Sequence, residues 1–132
     1  MNQIIYKFDV IPDIDSVMDL YADAGLNRPK ERARITRMYS HSNLIVTAWD
    51  KQRLVGISRA LTDFCFCCYL SDLAVRKKYQ HHGIGRELIR LTKEKIGDET
   101  MLLLLSAPSA MEYYPRVGLS KVDNGFILQR TK

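Results

Sequence analysis

The stretch of this 132-residue chain with the densest chemical content is 70–89, LSDLAVRKKYQHHGIGRELI. Gln80, Gly83 and Gly85 spell Q-x-x-G-x-G where an apolar run gives way to an amphipathic segment. Glycines at such a junction let the backbone turn tightly and aim several N–H groups at one point. A helix starting there adds the positive end of its dipole. Together these make a cradle for a pyrophosphate, and Lys77, Lys78, His81, His82 and Arg86 can supply charge for further phosphate oxygens. Two related motifs are excluded. Leu88 and Ile89 stand where a dinucleotide fingerprint needs its third glycine, and no Gly-Lys-Ser/Thr loop occurs anywhere. Alone, a Gly-x-Gly before a helix is equally compatible with a plain tight turn. Further along, Tyr113 and Tyr114 in AMEYYPRVGL read by themselves as an aromatic pair on a short helix.

The elements that must position these residues follow from periodicity and turn chemistry. Residues 3–8 read as a strand. Pro12 and Asp13 open a helix with Ile14, Val17, Met18 and Tyr21 on one face and Gly25 as its stop. Pro29 starts a second, polar helix to about Met38. Strands at 44–49, 54–61 and 64–75 follow with tight turns between them, so they form an antiparallel meander. Ile84 to Ile96 is an amphipathic helix closed by Gly97. MLLLL at 101–105 reads as a strand buried on both faces, and strand, helix, strand implies a right-handed crossover with that pair parallel. Pro108 opens a short helix to about Arg116, released by Gly118. Residues 119–122 and 126–130 flank Asp123-Asn124-Gly125, a hairpin signal. The expected class is α/β (α+β): one domain over 1–132, built on a single mixed, mostly antiparallel sheet with flanking helices.

Composition narrows the function classes. The chain is 46% hydrophobic and 27% charged, ordinary for a globular protein, and its length suits one domain. No apolar run approaches the ~20 residues of a membrane helix, and MNQIIYKFDV lacks the pattern of an export signal, so no membrane role and a cytoplasmic location are expected. Twenty Lys+Arg against 15 Asp+Glu give a net charge of +5. The basic residues cluster at Arg28–Arg37 and Arg76–Lys95 without a zinc-finger spacing or RNA-recognition aromatics, which disfavours a nucleic-acid-binding domain. Cys65, Cys67 and Cys68 are too close together for a disulfide framework. No fourth ligand accompanies them for a metal site, so they read as strand packing among Phe64, Phe66 and Tyr69.

LAVRKKYQHHGIG and AMEYYPRVGL, in that order, resemble two motifs of the GNAT superfamily of N-acetyltransferases, which use acetyl-CoA. The resemblance covers nearly the whole order of elements and implies a GNAT-like acyl-CoA N-acyltransferase fold. It implies that Gln80, His81, His82, Gly83, Ile84, Gly85 and Arg86 hold the pyrophosphate. It further implies that Leu73, Ala74 and Val75 end a strand that splays from its neighbour and pairs with the pantetheine arm, and that Tyr114 is the general acid that protonates the departing thiolate. A phenol with a reference pKa near ~10 is suited to that step. The partners implied are acetyl-CoA and an amine of a small molecule or protein, with no metal.

Three positions depart from the family pattern. Tyr69 and Ser71 stand where relatives often carry Glu or His as base, which leaves Asp72 as the nearest carboxylate. Alternation points Asp72 opposite to Ser71, so deprotonation through ordered water is expected, with Asp72 as a candidate and Glu112 as another. Ala107 replaces a frequent Asn. The alternative to turnover is a catalytically weak acyl-CoA-binding sensor. The basic Arg28–Arg37 run hints at an acidic or phosphorylated acceptor, and edge pairing through the C-terminal hairpin would make a homodimer.

Overall fold

The computed structural model describes residues 3–132. Its elements are β1 (Ile4–Phe8), α1 (Ile14–Ala24), α2 (Arg32–Ser40), β2 (Leu44–Asp50), β3 (Arg53–Thr62), β4 (Cys67–Val75), α3 (Ile84–Ile96), β5 (Met101–Leu103) and α4 (Tyr113–Arg116). The strands form one sheet in the order β1-β2-β3-β4-β5. β2–β3 and β3–β4 are antiparallel, as their short turns require, β1–β2 is antiparallel across the two intervening helices, and β4–β5 is parallel across α3.

Each face of the sheet buries a helical layer. Val17, Leu20 and Tyr21 of α1 and Ile35 and Tyr39 of α2 pack on Ile45, Leu54, Ile57 and Ala74. On the opposite face, Ile84, Leu88 and Leu91 of α3 cover Val46, Ala48 and Val55. Ile89 and Ile96 cover Leu44, Ala60, Cys68 and Leu70. Gly56 allows this approach, since a Cβ there would lie 3.1 Å from Leu88 Cδ1 and 3.2 Å from Ile84 Cγ2. Gly25, at φ 75°, ends α1 in the left-handed conformation. Among the described residues no helix is long and apolar enough to cross a membrane.

Several expectations are corrected. α2 begins at Arg32 rather than at Pro29, because the preceding segment stays open and carries Arg28 to Asp72 on β4. β4 begins at Cys67 rather than 64, since Asp63 Oδ1 accepts the N–H groups of Cys65, Phe66 and Cys67 and holds them in a turn. Only Cys68 of the three cysteines is therefore buried. The 108–116 helix divides into a 3-10 turn at Pro108–Ala110 and α4.

β5 is a three-residue edge strand with one face uncovered: Leu102 and Leu104 pack inward, whereas Met101, Leu103 and Leu105 are exposed. The C-terminal hairpin is absent. No strand forms beyond β5, and Phe126 and Leu128 stand wholly in solvent. A two-stranded hairpin is marginal without a packing surface, and no described residue covers Phe126 or Leu128.

The most consequential departure is a bulge in β4. Arg59 pairs with Asp72 while Ala60 pairs with Leu70, which leaves Ser71 as the extra residue. Simple alternation therefore fails at this point. Ser71 and Asp72, expected on opposite sides, both reach Arg59.

Candidate functional site

The glycine loop joins the end of β4 to α3. The first helical bond runs from Glu87 N–H to Gly83 O (3.0 Å), so the N–H groups of Ile84, Gly85 and Arg86 come before it, and no backbone acceptor meets them. His81 (φ 67°) and Gly83 (φ 84°) adopt left-handed backbone, which turns successive N–H groups toward a common point. The loop is braced from behind. Gln80 Nε2 donates to Val75 O (2.9 Å), and the Lys77 N–H donates to Asp23 (2.8 Å). Arg76, buried, donates to Leu54 O and Asp19. His81, His82 and Gly83 face solvent. A rigid loop with free donors aimed outward is built for an anion.

Beside it the sheet opens. β4 and β5 pair only at Cys67–Met101, Cys68–Leu102 and Tyr69–Leu103, while β4 continues to Val75 with no strand on that side. Ser71 O accepts from Arg28 Nη2 (2.7 Å) and Val75 O from Gln80. Alternation then turns the N–H and C=O of Leu73 and the N–H of Val75 into the gap, and the Ala74 backbone toward β3. The gap therefore carries unpaired backbone groups along one wall and the free loop N–H groups at one end.

α4 places two tyrosines by this gap, with ring centroids 5.2 Å apart and edge to face. The Tyr113 hydroxyl lies over the loop, 2.6 Å from where a Cβ on Gly85 would be. The Tyr114 phenol is pushed up by burial, with Tyr113 adding and the Arg28 guanidinium opposing. It therefore holds its proton at neutral pH, within electrostatic reach of the arginine that bonds Asp72.

Asp72 is completely buried. Its carboxylate accepts from Arg28 Nε (2.5 Å), Arg59 Nε (2.5 Å), the Tyr21 hydroxyl (2.7 Å) and the Ser71 hydroxyl (3.2 Å). Tyr21 also shares a short bond with the Tyr39 hydroxyl. Burial pushes the Asp72 carboxyl up, but the hydrogen bond and charge of Arg59, with Arg28 behind it, outweigh that and hold it below the usual range. Such a carboxylate keeps its charge and anchors two guanidinium groups. Sequence reasoning missed Arg59 and Tyr39, met Tyr21 only as a helix-face residue and Arg28 only as one member of a basic run. The one signal was a lone Asp inside an apolar strand. Glu112 is exposed and lies 3.9 Å from Arg116.

Two cavities flank the site. One of about 710 Å³ runs along α3 past Arg86, Arg90 and Lys93 to Gly118 and Leu119. The other, about 470 Å³, lies between α2 and β3 and is lined by Arg34, Arg37, His41, Arg59 and Leu61. Among the described residues no group of metal-ligating side chains forms.

The acetyltransferase (GNAT) domain profile matches residues 20–128. An uncharacterized N-acetyltransferase, ycf52, of Porphyra purpurea is 26% identical over 106 residues, covering 76% of this chain, and the chain spans 60% of that relative's length. A ycf52-like uncharacterized N-acetyltransferase of Prochlorococcus marinus is 24% identical, over 94% of this chain and 73% of its own. Among solved structures, a protein of unknown function from meticillin-resistant Staphylococcus aureus superposes with a TM-score of 0.83 at 23% identity, over 97% of this chain and 100% of that one. A GNAT family acetyltransferase from Streptococcus pneumoniae gives 0.81 at 23% identity, over 98% and 100%.

Proposed function

This chain belongs to the GNAT acetyltransferase family, and from the geometry of its site we propose that it transfers the acetyl group of acetyl-CoA to a primary amine in a ternary complex. The observation that carries the reading is the free N–H row at Ile84, Gly85 and Arg86, at the end of a gap between β4 and β5 that Tyr114 borders. Bound in that gap, acetyl-CoA supplies a thioester carbonyl for direct attack. Gln80 to Arg86 hold the pyrophosphate, mainly through main-chain donors, and Arg86, Arg90 and Lys93 face the nucleotide end. Leu73 and Val75 offer main-chain groups to the pantetheine amides. As the amine nitrogen forms its bond to the carbonyl carbon, the C–S bond breaks, and the Tyr114 phenol donates its proton to the leaving sulfur. Water takes the proton that the amine sheds.

Asp72, the carboxylate the sequence offers as base, acts on this reading as a positioning residue. It holds Arg28 and Arg59 while its own lone pairs are occupied. Among the described residues Arg34 and Arg37 have no carboxylate partner beside the α2–β3 cavity, which favours an acceptor with an anionic group. We place the reaction in the cytoplasm, where three free thiols remain reduced. A second reading, an acyl-CoA sensor without turnover, is favoured by one observation: the Asp72 carboxylate, the candidate base on β4, is engaged by two arginines.

Calorimetric titration with acetyl-CoA and dephospho-CoA, on wild type and Gly83→Asp, tests the site. Asp at position 83 sets a negative charge at the cradle and strains a backbone at φ 84°. Saturable binding lost in the folded variant is expected, and no binding by folded wild type refutes the reading. Thiol release over a panel of amines then separates enzyme from sensor. Equal rates for carboxylated amines and their amides would remove the anionic acceptor.

A further inference from the structure

Two glycines stand at the start of α3, and they are there for different reasons. Gly83 has φ 84°, which strains any residue with a side chain. Gly85 is the second residue of α3 and has no positive φ, so its backbone suits any residue. Glycine in a helix costs up to about 1 kcal/mol relative to alanine, and conformation does not explain its presence at 85. Space does. A Cβ at this position would lie 2.6 Å from the Tyr113 hydroxyl, closer than a Cβ comes to an unbonded atom. The Tyr113 ring carbon Cζ would be 3.5 Å away and Val75 Cγ2 3.8 Å, both ordinary contacts. The phenolic oxygen alone excludes a side chain at 85.

That oxygen belongs to a half-buried side chain and has no hydrogen-bond partner among the described residues. Its ring is backed edge to face by Tyr114, with centroids 5.2 Å apart. Burial pushes the phenol up, with the Arg86 guanidinium opposing, so it keeps its proton at neutral pH and can donate it to an anion. Its place is also telling. Cα–Cβ bonds lean toward the N-terminus of a helix, the direction in which the unbonded N–H groups of Ile84, Gly85 and Arg86 point. A Cβ lies about 2.5 Å from its own nitrogen, so the phenolic oxygen is within about 5 Å of the Gly85 nitrogen. One phosphate oxygen can accept from both donors at ordinary bond lengths when they are up to about 5.6 Å apart.

We propose that Tyr113 is a ligand-binding residue whose hydroxyl donates to a diphosphate oxygen held by the main-chain donors of α3, and that position 85 is glycine to admit it. The inference rests on the acetyl-transfer reading above and gives Tyr113 a task apart from that of Tyr114. The main chain of the loop supplies donors whatever its side chains are. Tyr113 adds a side-chain donor from a different element, so the diphosphate ties α4 to the start of α3.

The test is a thermodynamic cycle on the full chain: wild type, Tyr113→Phe, Gly85→Ala and the double variant. Each is titrated with acetyl-CoA by calorimetry and with inorganic pyrophosphate by the amide shifts of Ile84, Gly85 and Arg86. Tyr113→Phe weakens both ligands roughly tenfold to a hundredfold, as for a hydrogen bond to a charged group. The melting temperature of the unliganded variant does not fall, because the phenol has no partner to lose. Gly85→Ala alone weakens binding by a similar factor, since the new methyl displaces the phenol. On top of Tyr113→Phe it weakens binding no further and does not lower the melting temperature, because the methyl then meets only Cζ at 3.5 Å. A Tyr113→Phe variant that binds both ligands as tightly as wild type overturns the proposal. So do losses that multiply in the double variant, which would mean that the methyl blocks the cradle without involving Tyr113. If acetyl-CoA fails to bind folded wild type while pyrophosphate binds in the expected pattern, the transfer reading falls and the role of Tyr113 stands. If neither ligand binds, both fall.

Discussion

Replacing Asp72 with Asn removes the negative charge on which two arginines converge and leaves the shape almost unchanged. The Arg59 side chain is only 8% exposed and that of Asp72 is wholly buried, so Arg59 is left as an uncompensated charge in a low-dielectric site. Breaking a buried pair from one side costs about 3–5 kcal/mol. Arg28, with 26% of its side chain exposed, stays partly solvated, so Arg28→Gln costs about 1 kcal/mol or less. Against a total of roughly 5–15 kcal/mol for a domain, the Asn variant folds with a melting temperature lowered by about 10–20 °C. Urea unfolding at pH 7, with an unchanged m-value, reads the loss directly.

The pH dependence supplies a second check. The folded Asp72 carboxyl is held below its ordinary value, so its contribution is fully present above the unfolded carboxyl pKa, near ~3.9. That contribution fades as pH falls through the folded value. The gap between wild type and variant therefore stays constant from pH 7 to about 5 and narrows below about 4. A loss under about 1 kcal/mol at pH 7, or a gap that widens in acid, would refute the view that this carboxylate holds the wall of the site.

Two further outcomes follow from the site and the β3–β4 turn. Tyr114→Phe lowers kcat for thiol release by about 10²–10⁴-fold with acetyl-CoA affinity unchanged by calorimetry, and the wild-type rate falls at alkaline pH only above the ordinary tyrosine range, since burial pushes that phenol up. A thiol reagent under native conditions modifies Cys65 and Cys67 but reaches Cys68 only on unfolding, because Cys68 is buried against Leu44 and Ile89; mass spectrometry of the modified chain counts the labels.

Legibility in the sequence tracks the range of the interactions involved. α3 runs from Ile84 to Ile96 as its periodicity and Gly97 indicate, and the meander of β2, β3 and β4 follows from three apolar runs with short turns. Errors cluster where one element depends on another. Pro29 is a reasonable helix start, yet Arg28 is drawn to a carboxylate 44 residues away and the helix begins later. MLLLL reads as buried on both faces, yet half of it faces solvent because no element of the same copy covers that side.

By itself the sequence determined the glycine loop, the helix behind it and the tyrosine-bearing turn. Their conformations depend on adjacent residues: glycine at positive φ, a helix start with unpaired N–H groups, a proline that opens a turn. Only the tertiary structure decided the rest of the site. The bulge at Ser71 depends on how β4 registers with β3, and it brings Ser71 and Asp72 to the same guanidinium. The partners of Asp72 come from α1, from the α1–α2 connection and from β3, separated by 51, 44 and 13 residues. Such a cluster exists only once packing has paid the entropy of bringing those segments together. The bare β5 face and the unattached C-terminal segment are likewise visible only in the folded chain, because exposure is set by what the other elements leave uncovered.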